Sequence, residues 1–253
     1  MFRKFKLYQP HLAQRYVYVQ LQKAIPKLID KHSRIRIKKQ PENMIIEVEA
    51  NSESKKSELL QKILQIKNDA QADFLAKNTY SLFTNTFGNT LVKPDHIRIA
   101  VESIPLMKPI VENVPQDIEG YITRDSINYV LSWIQSIPYN DLESRATSLG
   151  SGFSPPNKLL IENQGDCDSK STLFASVMRS LVSNLGIVII YLPNHALVGL
   201  QIPYSKADEY VEINGNYYVL AEPTGPALLP LSKIADESKR LIDGNNFTAE
   251  MMP

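Results

Sequence analysis

Residues 163–181 read NQGDCDSKSTLFASVMRSL. A glycine and an acid precede Cys167, the only cysteine of the chain, and a second acid follows it. Leu173, Phe174, Val177, Met178 and Leu181 then recur at helical spacing. That pattern predicts a buried helix starting at or near Cys167 and stopped at Gly186. Asp166 or Asp168 can cap its first turn. Unpaired N–H groups and the helix dipole favour negative charge there, so a thiol at this point is expected to ionise readily and serve as a nucleophile. The flanking acids oppose that effect in part. A lone cysteine is also compatible with an inert, buried side chain; chemistry requires a base beside it and an acceptor that orients the base.

The chain holds four histidines. His11, His32 and His96 lie in the basic N-terminal part or in a proline-containing segment. His195 opens a strand-like stretch, PNHALVG (193–199), 28 residues after the thiol. Strands are expected at 187–191, 195–202, 210–213 and 216–221, with Asn214-Gly215 as a hairpin turn between the last two. Alternation puts His195, Leu197 and Gly199 on one face and Tyr218, Leu220 and Glu222 on one face. If the two strands are neighbours, imidazole and carboxylate can meet at one sheet edge, with the cysteine helix expected on that same face.

These stretches, NQGDCDSKSTLFASVMRSL (163–181), LPNHALVGL (192–200) and YYVLAEPTGPA (217–227), together resemble the transglutaminase-like superfamily. Upstream, WIQSIPYND (133–141) is similar to the helix preceding the cysteine loop in the family's bacterial branches, some of which are cysteine proteinases. The resemblance covers roughly residues 120–236. It implies an α+β fold with a papain/transglutaminase-like core, in which a helix carrying the nucleophile packs on an antiparallel sheet. It further implies Cys167 as nucleophile, His195 as general base and acid, and Glu222 as the group orienting the imidazole. The family usually has Asp at that last position, and the extra methylene must be absorbed by a backbone shift or a bridging water. For the oxyanion hole, the candidates are the backbone N–H of Cys167, Gln135 by analogy with the glutamine of papain-like enzymes, and Gln164. Tyr139, Phe153, Asp166 and Asp168 are the expected cleft residues.

The implied reaction is acyl transfer at a peptide or carboxamide bond through a thioester. Hydrolysis, as in a cysteine peptidase or amidase, is the default expectation. The alternatives are a true amine-accepting transglutaminase and a catalytically silent protein-binding module that keeps the fold. Some bacterial relatives bind calcium near an acidic pair at this point; here capping and hydrogen bonding are the expected roles of Asp166 and Asp168, with no metal and no cofactor.

Bulk properties set the frame. With 253 residues, 43% of them hydrophobic, the chain can form one large domain or a main domain plus a small one. A net charge of +1 gives no reason to expect nucleic acid as a partner. One cysteine excludes an intrachain disulfide and a multi-cysteine zinc site. No stretch approaches the roughly 20 apolar residues of a membrane span. The opening MFRKFKLYQP lacks an apolar core, so no signal peptide is read and a cytoplasmic location is the default expectation. Residues 1–40 hold eleven cations against Asp30 alone. That imbalance suits either a solvated surface or a face for an acidic partner.

The expected organisation has three parts. Residues 1–92 form a small N-terminal α/β subdomain, with a hairpin (34–38 and 45–49, turning at 40–43) and a long helix over 53–85. Residues 93–119, with four prolines, read as an extended connector lying against the main domain. Residues 120–253 form the catalytic domain, with a long ordered loop over 140–163 whose length points to function.

Overall fold

The computed structural model describes residues 7–40, 43–116, 122–142 and 152–253. The chain forms two compact units, Met1–Leu82 and Phe83–Pro253. Parts of the sequence reading at residues 41–42, 117–121 and 143–151, including the middle of the 140–163 loop, lie outside the described residues.

In the first unit, helix α1 (Pro10–Leu28) buries Ala13, Val17, Leu21 and Ile25, one every fourth residue. The stretch Tyr16–Leu21, ambiguous in sequence, is therefore helical. Strands β1 (Arg34–Lys39) and β2 (Met44–Glu49) make the expected hairpin, with Arg36 opposite Glu47. Lys38 and Glu47 pair at 2.6 Å and Arg36 and Glu49 at 3.8 Å, so part of the basic excess is answered inside the hairpin. Helix α2 (Glu53–Lys77) starts where Ser52 accepts a hydrogen bond from the Lys55 N–H. It ends before strand β3 (Tyr80–Thr84), short of the expected 85. Ile63 and Ala70 of α2 join Val17, Leu21, Ile25, Ile35 and Met44 in one core.

The second unit is a mixed α+β structure. After β4 (Thr90–Pro94), the expected extended connector is instead helical: α3 (His96–Ser103), a 3₁₀ turn at Ile104–Leu106 and α4 (Lys108–Val111). Pro105 and Pro109 sit in the first turns of the last two of these, where the missing N–H carries no penalty. Ala100, Met107 and Val114 are buried in the main core, as the apolar content of the segment requires. Helices α5 (Arg124–Ser136) and α6 (Pro156–Glu162) follow, the latter within the expected loop. Then comes α7 (Cys167–Leu181).

The sheet is built from β5 (Ile187–Leu192), β6 (His195–Leu200), β7 (Tyr210–Ile213) and β8 (Asn216–Ala221). After α8 (Asp236–Asp243), β9 (Thr248–Met251) completes it. All neighbours are antiparallel, in the order β7-β8-β6-β5-β9. Asn214 and Gly215 both take positive φ, as the two-residue turn requires.

Helix α7 is buried from Ser169 to Met178 without a break. It lies on the sheet face carrying Ala196, Val198, Leu200, Val219 and Ala221. The opposite face, with Leu197, Tyr218 and Leu220, is covered by Leu241 and Ile242 of α8. Ser169 and Lys170, in the first turn of the helix, are fully buried. The Lys170 ammonium donates to the Ile137 carbonyl at 2.5 Å, just past the end of α5, where the helix dipole is negative. This contact ties the α5 end to the α7 start. Lys170→Ala should lower stability by about 2–4 kcal/mol through a cavity and a stranded carbonyl. Lys170→Met, which keeps the volume, should lower it less. The urea midpoints of the two variants measure the difference.

Candidate active site

The site forms where the α7 start meets the end of the sheet. Asp166 is the N-cap of α7, and its carboxylate accepts the Ser169 N–H at 2.9 Å. Gly165 before it leaves no room for a side chain, since a Cβ there would fall 2.6 Å from Leu159 of α6. Residues 138–140 run alongside: Gly165 N–H donates to the Pro138 carbonyl and Asn140 N–H to the Gly165 carbonyl, each at 3.2 Å. Asn140 also donates from its side chain to Oε1 of Gln164 at 3.0 Å and accepts from the Leu142 N–H.

Cys167 is partly buried. Its thiol donates to Oδ1 of Asp168 at 3.7 Å, and the backbone N–H of Ala196, the residue after His195, favours negative charge on the sulfur. Ser171, a turn along α7, donates to the Ala196 carbonyl at 3.3 Å. Nε2 of His195 lies 2.9 Å from Oε1 of Glu222. The other Glu222 oxygen accepts the N–H of Ala235 at 2.8 Å, at the N-cap of α8. The structure thus brings Cys167, Asp168, the start of β6 and the His195–Glu222 pair to one sheet end.

One expectation is corrected here. The cysteine helix does not pack on the face shared by Leu197 and Leu220, which belongs to α8. By alternation His195 and Glu222 fall on the α8 side, at the edge where β6 begins and β8 ends.

The electrostatics also differ from expectation. Burial, followed by the carboxylates of Asp168 and Asp166, pushes the Cys167 thiol up, although the N–H groups of Asp168 and Ala196 favour the thiolate. The helix start does not produce a resting thiolate. Asp166 is raised to about 7 by burial and by Asp168. Burial likewise raises Asp168, against the attraction of Lys93. For Glu222, burial acts upward, but the hydrogen bonds from His195 and the Ala235 N–H outweigh it and leave the carboxyl below its ordinary value.

Other expected site residues divide. Tyr139 is 54% exposed and stands beside the thiol: burial, then the charges of Cys167 and Asp166, raise its phenol. Gln135 is 2% exposed, and its amide donates to the carbonyls of Glu222 and Leu229, each at 2.9 Å. Both its N–H groups are engaged, so Gln135 is no oxyanion donor; it fixes the strand end that carries Glu222. Gly225, in the same turn, would place a Cβ 2.0 Å from the Gln135 carbonyl oxygen. Phe153, expected on the cleft wall, is 2% exposed and packs against the His96 ring at 4.8 Å. Gln164 keeps its place next to the α7 start.

Sequence reasoning missed the anchoring of Glu222 on α8 and the burial of His96, for which Asp95 as helix cap was the available signal. Among the described residues, no group of three or more His, Cys, Asp or Glu side chains is placed to hold a metal ion, and no helix is long and apolar enough to cross a membrane. A recess of about 380 Å³ lies away from the thiol, between α5 and residues 228–230. Compared with known proteins, the chain matches no family model, no curated protein and no solved structure.

A raised carboxyl makes stability depend on pH. The unfolded Asp166 releases its proton near 3.9, whereas the folded one holds it to about 7. Between those values the folded state binds more protons, so this group's contribution is fullest below about pH 4 and declines as pH rises toward 7. Asp166→Asn keeps the capping oxygen and removes the titration. Its melting temperature should gain several degrees on the wild type between pH 4.5 and 7.5; parallel pH curves for the two proteins would refute the assignment.

Proposed function

We propose that the second unit is a papain/transglutaminase-like core carrying a thiol-dependent acyl-transfer enzyme, acting hydrolytically on a peptide or carboxamide bond. The observation that carries this reading is the 2.9 Å His195–Glu222 contact, with His195 next in sequence to Ala196, whose N–H favours charge on the Cys167 sulfur. With Nε2–H donated to Glu222, Nδ1 is the imidazole nitrogen with a lone pair for the thiol proton.

The raised thiol sets the order of events. Because the resting sulfur is protonated, His195 acts as general base during attack rather than sitting in a preformed ion pair. The S–H proton passes to Nδ1 as sulfur bonds the substrate carbonyl carbon. The carbonyl oxygen takes up the negative charge, facing the α7 start, where the Cys167 N–H and Gln164 are the candidate donors. The C–N bond then breaks, the leaving nitrogen takes the proton from His195, and a thioester remains. Water, deprotonated by His195, cleaves that thioester to a carboxylate and restores the thiol. Glu222 holds the ring in one tautomer throughout and stabilises its charged form. Tyr139 stands as a wall of the cleft.

For the first unit, the exposed Arg15, Lys23 and Lys27 of α1 are the surface we assign to an acidic partner.

A peptide library digested with the full chain tests the reading, new termini and amine incorporation being read by mass spectrometry. Wild type should generate new carboxyl termini. Cys167→Ala should generate none while melting as the wild type does, and Glu222→Gln should lower the rate by about 10²–10⁴-fold. Incorporation of an added primary amine in place of water would identify a transferase. An inert wild type would leave the silent binding module.

A further inference from the structure

His96 is a second histidine at the same site, reached from the other side of Asp168. It begins α3, is 1% exposed, and is stacked against the rings of Phe153 at 4.8 Å and Tyr191 at 5.7 Å. Its Nδ1 lies 3.0 Å from the Tyr191 hydroxyl. Its Nε2 has no hydrogen-bond partner among the described residues and faces Oδ2 of Asp168 at 3.9 Å.

The proton inventory around it can be worked out. Tyr191 donates its one proton to Oε2 of Glu250 at 3.0 Å, and Lys93 donates to the same carboxylate at 2.7 Å. Lys93 also approaches the Tyr191 oxygen at 3.3 Å. The tyrosine proton being engaged, His96 must donate from Nδ1 to the Tyr191 oxygen. A neutral ring then has a bare lone pair at Nε2. That lone pair points at a carboxylate oxygen, an arrangement that is repulsive unless a proton lies between them.

We propose that His96 is a positioning residue for the nucleophile: with Asp168 it holds one proton between Nε2 and Oδ2, so that Asp168 stands uncharged beside the Cys167 thiol. This inference rests on the reading of Cys167 as nucleophile. The held proton does not move during turnover; the thiol proton goes to His195. Its effect is electrostatic, since a carboxylate in contact with the sulfur opposes thiolate formation and a neutral carboxyl does not. At 3.9 Å the two atoms stand beyond hydrogen-bond length, so the shared proton requires them to close by somewhat under about 1 Å.

The surroundings agree. Burial, then Lys93, holds the His96 imidazole well below its usual range, which keeps the ring neutral. Burial raises Asp168. The charged and titratable groups around the pair are Asp166 and Cys167 of the α7 start, His195 of β6, Tyr191 of β5, Lys93 of β4, Glu250 of β9, and Asp95 before α3. Lys93 and His195 favour the charged carboxylate; Asp166, like the thiolate, opposes it.

Alkylation of Cys167 by iodoacetamide, followed from pH 5 to 9 in the full chain, tests the pair without needing a substrate. His96→Phe keeps the ring volume and removes the acceptor. It should slow alkylation at pH 7 by about tenfold, the effect of one pKa unit on the thiol. Asp168→Asn should react at least as fast as wild type, and adding His96→Phe to it should slow it no further. A His96→Phe profile matching wild type, or equal slowing in the Asp168→Asn background, overturns the proposal. If the Phe variant does not fold, imidazole ¹⁵N shifts of the wild type decide: an Nδ1–H tautomer supports the proposal, and an Nε2–H tautomer overturns it. Turnover that survives in Cys167→Ala would defeat the triad reading while leaving these rates to judge the pair. Turnover that needs Cys167, with alkylation indifferent to His96, would defeat the pair alone.

Discussion

The Ala196 carbonyl accepts the Ser171 hydroxyl at 3.3 Å and the Ala196 N–H favours charge on the Cys167 sulfur, so two successive peptide groups of β6 lie against the first turn and a half of α7. These contacts register the helix against the sheet at the point where chemistry would occur. They demand small side chains, and Ala196 and Ser171 are both fully buried. They also set the thiol one residue from His195, whose own side chain, at the first position of its strand, is 23% exposed and outside the core. The opposite end of the contact is equally fixed: Lys170 holds the α5 end, and Asn140 and Gly165 hold the incoming loop.

Charge in the site is sorted by hydrogen-bond supply. Three carboxyls lie within reach of the thiol or the imidazole, and the protein cannot ionise all of them alongside a thiolate. Glu222 receives donors from His195 and Ala235 and carries its charge at the start of α8, where the helix dipole supports it. Asp166, buried, and Asp168, partly buried, have less support and sit higher. Environments that push similar groups apart are how one fold assigns acid and base roles. The negative charge is kept on the far side of the imidazole, and the protons on the side of the sulfur.

Strong periodicity made part of this legible. The NG hairpin, four of the five main strands and the cysteine helix follow from alternation, turn chemistry and the 3.6-residue stripe. The helices of 96–111 and 156–162 did not, because Pro105, Pro109 and Pro156 look like helix breakers in sequence and each occupies a helix start. Nor could sequence say which sheet face α7 would cover. Strand β5 is apolar on both sides, with Ile187 and Ile189 toward α7 and Val188 and Ile190 toward α8. Alternation identifies residues that share a face, and it is silent on which of two apolar faces meets which helix. Gln135 and Phe153 were misread for a related reason: a polar or aromatic side chain gives no sign of burial until its partners are known.

The glutamate at position 222 follows from the same geometry. Its backbone is pinned, with its carbonyl held by Gln135 and the following turn pressed so closely on α5 that Gly225 admits no side chain. From that fixed point the carboxylate must touch two things at once, His195 across the sheet end and the Ala235 N–H at the α8 start. One methylene fewer on an immobile backbone would draw the carboxylate away from at least one of them. No bridging water or backbone shift is needed to accommodate the longer side chain, because α8 supplies the second anchor that gives the extra length its use. The His195–Glu222 contact and the packing of α8 on the outer sheet face are therefore one structural unit, and the orientation of the imidazole depends on a helix that never approaches the thiol's own side of the sheet.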